Sequence, residues 1–128
     1  MKKTDPSEKK GRVLVAEDDA IFLRFVSRVL AMEGYEVLEA GNGLEALKLL
    51  DGGGPPVDMI ISDVVMPELD GLGLAKEARR RYPGLKIILI SGFVNKAEAV
   101  LEVLGSGALF LEKPFSVAEL MGAVERAC

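Results

Sequence analysis

Histidine and tryptophan are absent from this 128-residue chain, and cysteine occurs once, at Cys128. Without an imidazole there is no histidine base, nucleophile or metal ligand. Ser-His-Asp and Cys-His catalysis are therefore excluded, and the chain cannot itself donate from a phosphohistidine. A lone cysteine closes no internal disulfide, which removes the stapled frameworks of small secreted domains. No apolar run approaches the roughly 18 residues that a membrane span needs, so no membrane partner is expected. The 16 basic and 20 acidic residues leave a net charge of −4 with no dominant basic patch, which argues against direct nucleic-acid binding. The first residues are charged and lead into no long apolar stretch. Residues 1–11 read as a flexible, solvated tail rather than a signal peptide, and cytoplasmic localisation follows as the default.

What is present suits one domain with a buried core, expected over residues 12–127: 49% of the residues are hydrophobic and 28% charged. Short apolar runs of strand length occur at Arg12–Ala16, Glu36–Glu39, Val57–Ser62, Lys86–Ser91 and Ala108–Leu111. They are rich in Val, Ile and Leu and mostly lack alternation, the pattern of parallel strands covered on both faces. Helical spacing lies between them: Phe22, Phe25, Val26, Val29 and Leu30; Ala46, Leu47 and Leu50; more weakly Leu72, Ala75 and Ala78; Ala97, Val100, Leu101 and Leu104; and Val117, Leu120, Met121 and Val124. Gly34, the run Gly52–Pro56, Pro83-Gly84 and Gly105 supply stops. Ser116 with Glu119 three residues on reads as a capping box for the last helix. Five strands alternating with five helices make a doubly wound α/β domain, with right-handed crossovers placing helices on both faces of one parallel sheet.

Two of the apolar runs end in carboxylates. Ile60-Ile61-Ser62 leads into Asp63, and Val13-Leu14-Val15-Ala16 leads into Glu17-Asp18-Asp19. In an open parallel sheet, ligands and chemistry collect at the carboxyl ends of the strands. Capping of the following helices accounts for Asp19 and Asp70, but not for Glu17, Asp18 and Asp63 together. Those three would form a negative pocket whose mutual repulsion a hard divalent cation such as Mg²⁺ relieves. Ser91 and Lys113 end or follow two later runs and fall on the same sheet edge. A hydroxyl, an ammonium and a cation around a carboxylate nucleophile are the parts that stabilise a transferring phosphoryl group.

Glu17-Asp18, the series Asp63…Met66-Pro67…Asp70-Gly71, Ser91-Gly92 and Lys113-Pro114-Phe115 occur in that order. With them the chain resembles the receiver domain of two-component response regulators over residues 12–127. The resemblance implies a flavodoxin-like sheet of five parallel strands in order 2-1-3-4-5. It implies Asp63 as phosphoacceptor, and Mg²⁺ held by Asp18, Asp63 and the Val65 backbone carbonyl, with Glu17 acting through water. It implies Ser91 as the hydroxyl on the phosphoryl oxygens, Lys113 as their cationic partner behind a cis Lys113–Pro114 bond, and Phe110 as an aromatic switch.

The donor implied is a phosphohistidine on a cognate histidine kinase or histidine phosphotransfer protein. Phosphorylation would then reshape the surface of the fourth predicted helix, fifth strand and fifth helix (α4-β5-α5 of the family) for a downstream protein partner or a homodimer. Apolar residues at Val65 and Phe93 would flank the path of the hydrolytic water and lengthen the acyl-phosphate lifetime. Such a domain is no turnover enzyme, since it catalyses only its own phosphorylation and dephosphorylation. A degenerate receiver used as an unphosphorylated interaction module is the alternative. A phosphatase with an Asp nucleophile fits poorly, because Val65 stands where its acid/base Asp is needed. A flavodoxin-like nucleotide binder fits poorly too, because Glu17, Asp18 and Asp19 would repel a phosphate. The pattern around Ser91 and Lys113 is also similar to receivers at the ends of hybrid histidine kinases, so a stand-alone regulator and a piece of a larger protein both stay open.

Overall fold

The structure, a computed structural model, describes residues 10–66, 68–92 and 108–127. Five strands, β1 (Arg12–Ala16), β2 (Glu36–Ala40), β3 (Met59–Asp63), β4 (Lys86–Ser91) and β5 (Ala108–Glu112), form one sheet in the order β2-β1-β3-β4-β5. All four pairings are parallel. Four helices are described, α1 (Ala20–Met32), α2 (Gly43–Leu50), α3 (Gly71–Arg81) and α4 (Val117–Ala127). The helix expected around Ala97–Leu104 lies outside the described residues, as do Pro67 and Phe93.

Each helix starts where a side chain satisfies its orphan backbone N–H groups. Asp19 Oδ1 accepts from the N–H groups of Ile21 and Phe22 at 3.0 and 3.3 Å. Asp70 Oδ1 accepts from Gly73 N at 2.8 Å. Ser116 and Glu119 cap each other's backbone, at 2.9 and 3.0 Å, as their spacing predicts. A further start, not expected from the sequence, is Asn42, whose Oδ1 accepts from Glu45 N at 2.8 Å while Glu45 Oε1 accepts from Gly41 N at 2.7 Å. Gly34 ends α1 at a φ of +99°, a conformation that costs glycine little.

Alternate residues of the central strands feed opposite faces. Val13, Val15, Ile61 and Ile88 pack with Val26 and Leu30 of α1 and Leu120 and Val124 of α4. Leu14 and Ile60 pack on the other side with Ala46 of α2 and Leu74 and Ala78 of α3. Burial on both faces holds for β1, β3 and β4. The expectation fails for β2, which is mostly half-buried because it is an edge strand with one neighbour. Strand ends shift by one or two residues from the sequence reading: β2 and β5 run one residue further, to Ala40 and Glu112, and β3 starts at Met59 and takes in Asp63. On α1 the predicted stripe is narrower than its spacing suggests. Val26 and Leu30 are fully buried, while Phe25 is 38% exposed.

Candidate functional site

The parallel sheet brings four strand ends to one edge. Asp63 is the last residue of β3, Ser91 is the last of β4, and Glu17 and Lys113 directly follow β1 and β5. Hydrogen bonds carry the strand pairing past the ladder itself and fix the backbone there. Glu17 N donates to Ala40 O at 3.0 Å, Val64 N to Ile90 O at 2.9 Å, and Lys113 N to Ser91 O at 2.9 Å.

Side chains from different strands converge over this edge. Lys113 Nζ donates to Glu17 Oε1 at 3.0 Å and to Asp63 Oδ2 at 3.1 Å, joining residues 96 and 50 positions apart in sequence. Glu17 Oε2 accepts from Asp19 N at 3.1 Å, and Asp63 Oδ1 accepts from Val65 N at 3.2 Å. Glu17, Asp18 and Asp63 can each turn one carboxylate oxygen into a space where all three lie within 4.8 Å of one another. Glu17 is buried there, Asp63 half-buried and Asp18 exposed. This is an all-oxygen donor set running from an exposed to a buried carboxylate, and it fits a small hard cation such as Mg²⁺.

The electrostatics follow from that burial. Loss of water, aided by the nearby Asp63 charge, pushes the Glu17 carboxyl up to about 7, although the Asp19 N–H and Lys113 pull it down. Partial burial works against the Lys113 ammonium, but its bonds to Glu17 and Asp63 raise its pKa above the ordinary lysine value. The pocket thus holds a fixed positive charge between two carboxylates, one of which gives up its proton only near neutrality.

The other predicted residues fall around this centre. Ser91 is buried at the end of β4. The Val65 side chain is exposed, beside the carboxylate that its backbone N–H contacts. Phe110, on β5 opposite Leu89, is half-buried against the cluster of Val64, Ala75 and Leu89. The Lys113–Pro114 peptide is cis. Glu68, in the loop after Asp63, takes a φ of +68°, which non-glycine residues seldom adopt.

One neighbour carries only a core signature in the sequence. Phe22, on the first turn of α1, lies with its ring centroid 4.2 Å from Lys113 Nζ and 5.4 Å from the Phe115 ring, which it meets at 77°. Its place four residues after Asp18 was the available signal, because the first turn of α1 abuts the acidic cluster.

Comparison with known proteins gives a consistent result. The family model described as the response regulator receiver domain matches residues 13–125. The sensor kinase CckA of Brucella abortus (strain 2308) is 40% identical over 124 residues, a match covering 97% of this chain but 13% of that kinase. The response regulator receiver protein CpdR of the same organism is 36% identical over 115 residues, covering 90% of this chain and 94% of CpdR. Among solved structures, the receiver domain from the hybrid histidine kinase CckA superposes with a TM-score of 0.77 at 35% identity, covering 91% of this chain and 98% of that one. The response regulator protein TrrA from Thermotoga maritima, in complex with Mg²⁺-BeF, gives 0.81 at 30% identity, covering 92% and 99%.

Proposed function

The chain belongs to the response regulator receiver family, a signalling module of two-component systems, and from that footing we propose that it takes a phosphoryl group onto Asp63. The observation that carries this reading is the Lys113 ammonium, held 3.0 Å from Glu17 and 3.1 Å from Asp63 at a strand-end pocket of three carboxylates. An ammonium already beside the nucleophile needs little rearrangement to meet the charge of an incoming phosphoryl group.

In the proposed reaction an Asp63 carboxylate oxygen attacks phosphorus as the N–P bond of a donor phosphohistidine breaks. The imidazole leaves with that electron pair and is protonated from solvent. Asp63 becomes an acyl phosphate, Lys113 pairs with its oxygens, and the Ser91 hydroxyl donates a hydrogen bond to one of them. Asp18, Asp63 and the Val65 carbonyl would hold Mg²⁺, with Glu17 acting through water, and the ion when bound would offset the negative charge on the phosphoryl oxygens. Similarity to TrrA, solved with Mg²⁺-BeF, supports that assignment. Similarity to CckA and CpdR supports a histidine kinase or histidine phosphotransfer protein as donor. Ser91 and Phe110 are the proposed switch, through which the new charge favours one of two pre-existing arrangements of the surface that includes β5 and α4. A downstream protein or a second copy of the chain would read that surface.

The test is the intact mass after incubation with Mg²⁺ and acetyl phosphate, beside Asp63→Asn. One added phosphoryl group in the wild type and none in the variant is the expected outcome. No gain in either protein, together with no Mg²⁺ binding, would leave the domain an unphosphorylated interaction module.

A further inference from the structure

Lys113 carries three N–H donors, and the carboxylates of Glu17 and Asp63 account for two of them. The Phe22 ring, with its centroid 4.2 Å from Nζ, occupies the remaining side. An ammonium at that distance over a ring face is attracted by the ring's negative π-surface. The same ring packs at 77° on Phe115, two residues beyond Lys113 on the same loop. Phe22 therefore touches the lysine at its charged tip and the lysine's loop just past Pro114. It is itself held by α1, whose first turn Asp19 caps through the N–H of Phe22. Lysine has four rotatable side-chain bonds and loses much conformational freedom when its tip is fixed. Two hydrogen bonds to carboxylates that are themselves to be reorganised do not by themselves keep the tip in place during the reaction.

We propose that Phe22 is a positioning residue for phosphoryl transfer, its ring face holding the Lys113 ammonium at Asp63 and its contact with Phe115 holding the loop that carries it. The proposal rests on Asp63 being the phosphoacceptor and adds a third side to the lysine's site. Phe22 touches neither nucleophile nor phosphoryl group; it acts by raising the fraction of molecules in which the ammonium is already in place. Shape and charge distribution are separable here. Leucine keeps an apolar side chain at position 22 but offers no π-surface. Tyrosine and tryptophan keep the surface. Stepwise fluorination of the ring keeps the shape and drains the negative face.

Phosphorylation by acetyl phosphate at saturating Mg²⁺ is expected to slow about three- to tenfold in Phe22→Leu. Phe22→Tyr should hold the wild-type rate, and rates should fall in order along a series of mono-, di- and trifluorinated phenylalanine at position 22. Melting temperature, recorded on each variant, separates this effect from loss of fold. A rate indifferent to fluorination, in variants that melt with the wild type, would overturn the proposal while leaving Asp63 as acceptor. Independently of any transfer, the ring current of Phe22 should move the Lys113 ε-methylene signal upfield in the wild type, and the shift should vanish in Phe22→Leu. Absence of that shift in the wild type would overturn the stacking even if Asp63 proved not to be the acceptor, a failure that Asp63→Asn reports separately.

Discussion

With 3% of its surface exposed, Glu17 has given up most of its water, and its carboxyl holds a proton until about pH 7. A divalent cation entering beside Asp18 and Asp63 favours loss of that proton, because an opposite charge nearby stabilises the ionised carboxylate. Mg²⁺ affinity should therefore fall as pH drops below about 7, and binding should release roughly one proton per ion near pH 6. Calorimetry in buffers of different protonation enthalpy measures that release, which Glu17→Gln should abolish. The same shift acts on the fold in the absence of metal. A carboxyl whose folded pKa is raised contributes stability below its unfolded value and loses it as pH rises through the folded value. Without Mg²⁺, Glu17's share should thus disappear as pH rises through about 7. Because Mg²⁺ binds the charged form, adding it should restore stability above that range.

At the scale of elements, α3 is placed by contact with the very residue that ends β3. A Cβ built on Gly71 would lie 2.1 Å from the Asp63 carbonyl oxygen and 2.8 Å from Val64 Cα, and Gly71 N donates to Val64 O at 2.8 Å. Backbone meets backbone there, so nothing flexible can yield. Gly71→Ala should cost about 1–3 kcal/mol, read as a lower urea midpoint, and should slow phosphoryl uptake by displacing Asp63. Gly84→Ala, where a Cβ meets nothing within 4 Å, should be close to neutral in both measurements. The helix starts are legible at Asp19, Asp70 and Ser116, where the cap follows a strand of clear apolar pattern. The Asn42 start was missed because it sits in the short link after β2, a strand whose own pattern is weak. That weakness has a cause in the fold. An edge strand buries little, so Glu36 and Glu39 remain polar, and only Ala40 is fully buried.

At the scale of the whole molecule, the proposed output is a change of surface around β5 and α4 rather than a product released. Phe110 packs against the Val64 and Leu89 cluster, which also reaches Ala75 of α3, so it is placed to connect the Asp63 loop with the far edge of the sheet. Phe110→Ala should leave the mass gain at Asp63 unchanged. It should erase the difference in amide hydrogen exchange over β5 and α4 that phosphorylation produces in the wild type. A wild-type-like difference in that variant would remove Phe110 from the switch.

By itself the sequence determined the fold class, the run of five strands and the helix signals between them, because hydrophobic periodicity, stops and caps are local. It also determined that no imidazole takes part, since histidine is absent, and that carboxylates, a hydroxyl and a lysine stand at or just after the ends of apolar runs. Only the tertiary structure decided what those groups do to one another. Glu17 and Lys113 lie 96 residues apart and meet because β1 and β5 end at the same edge of one parallel sheet. The rise of the Glu17 pKa comes from burial by distant segments, and the face that Phe22 turns to Lys113 comes from the docking of α1 against the loop after β5. Distances across a fold are set by packing, and no local pattern of residues encodes them.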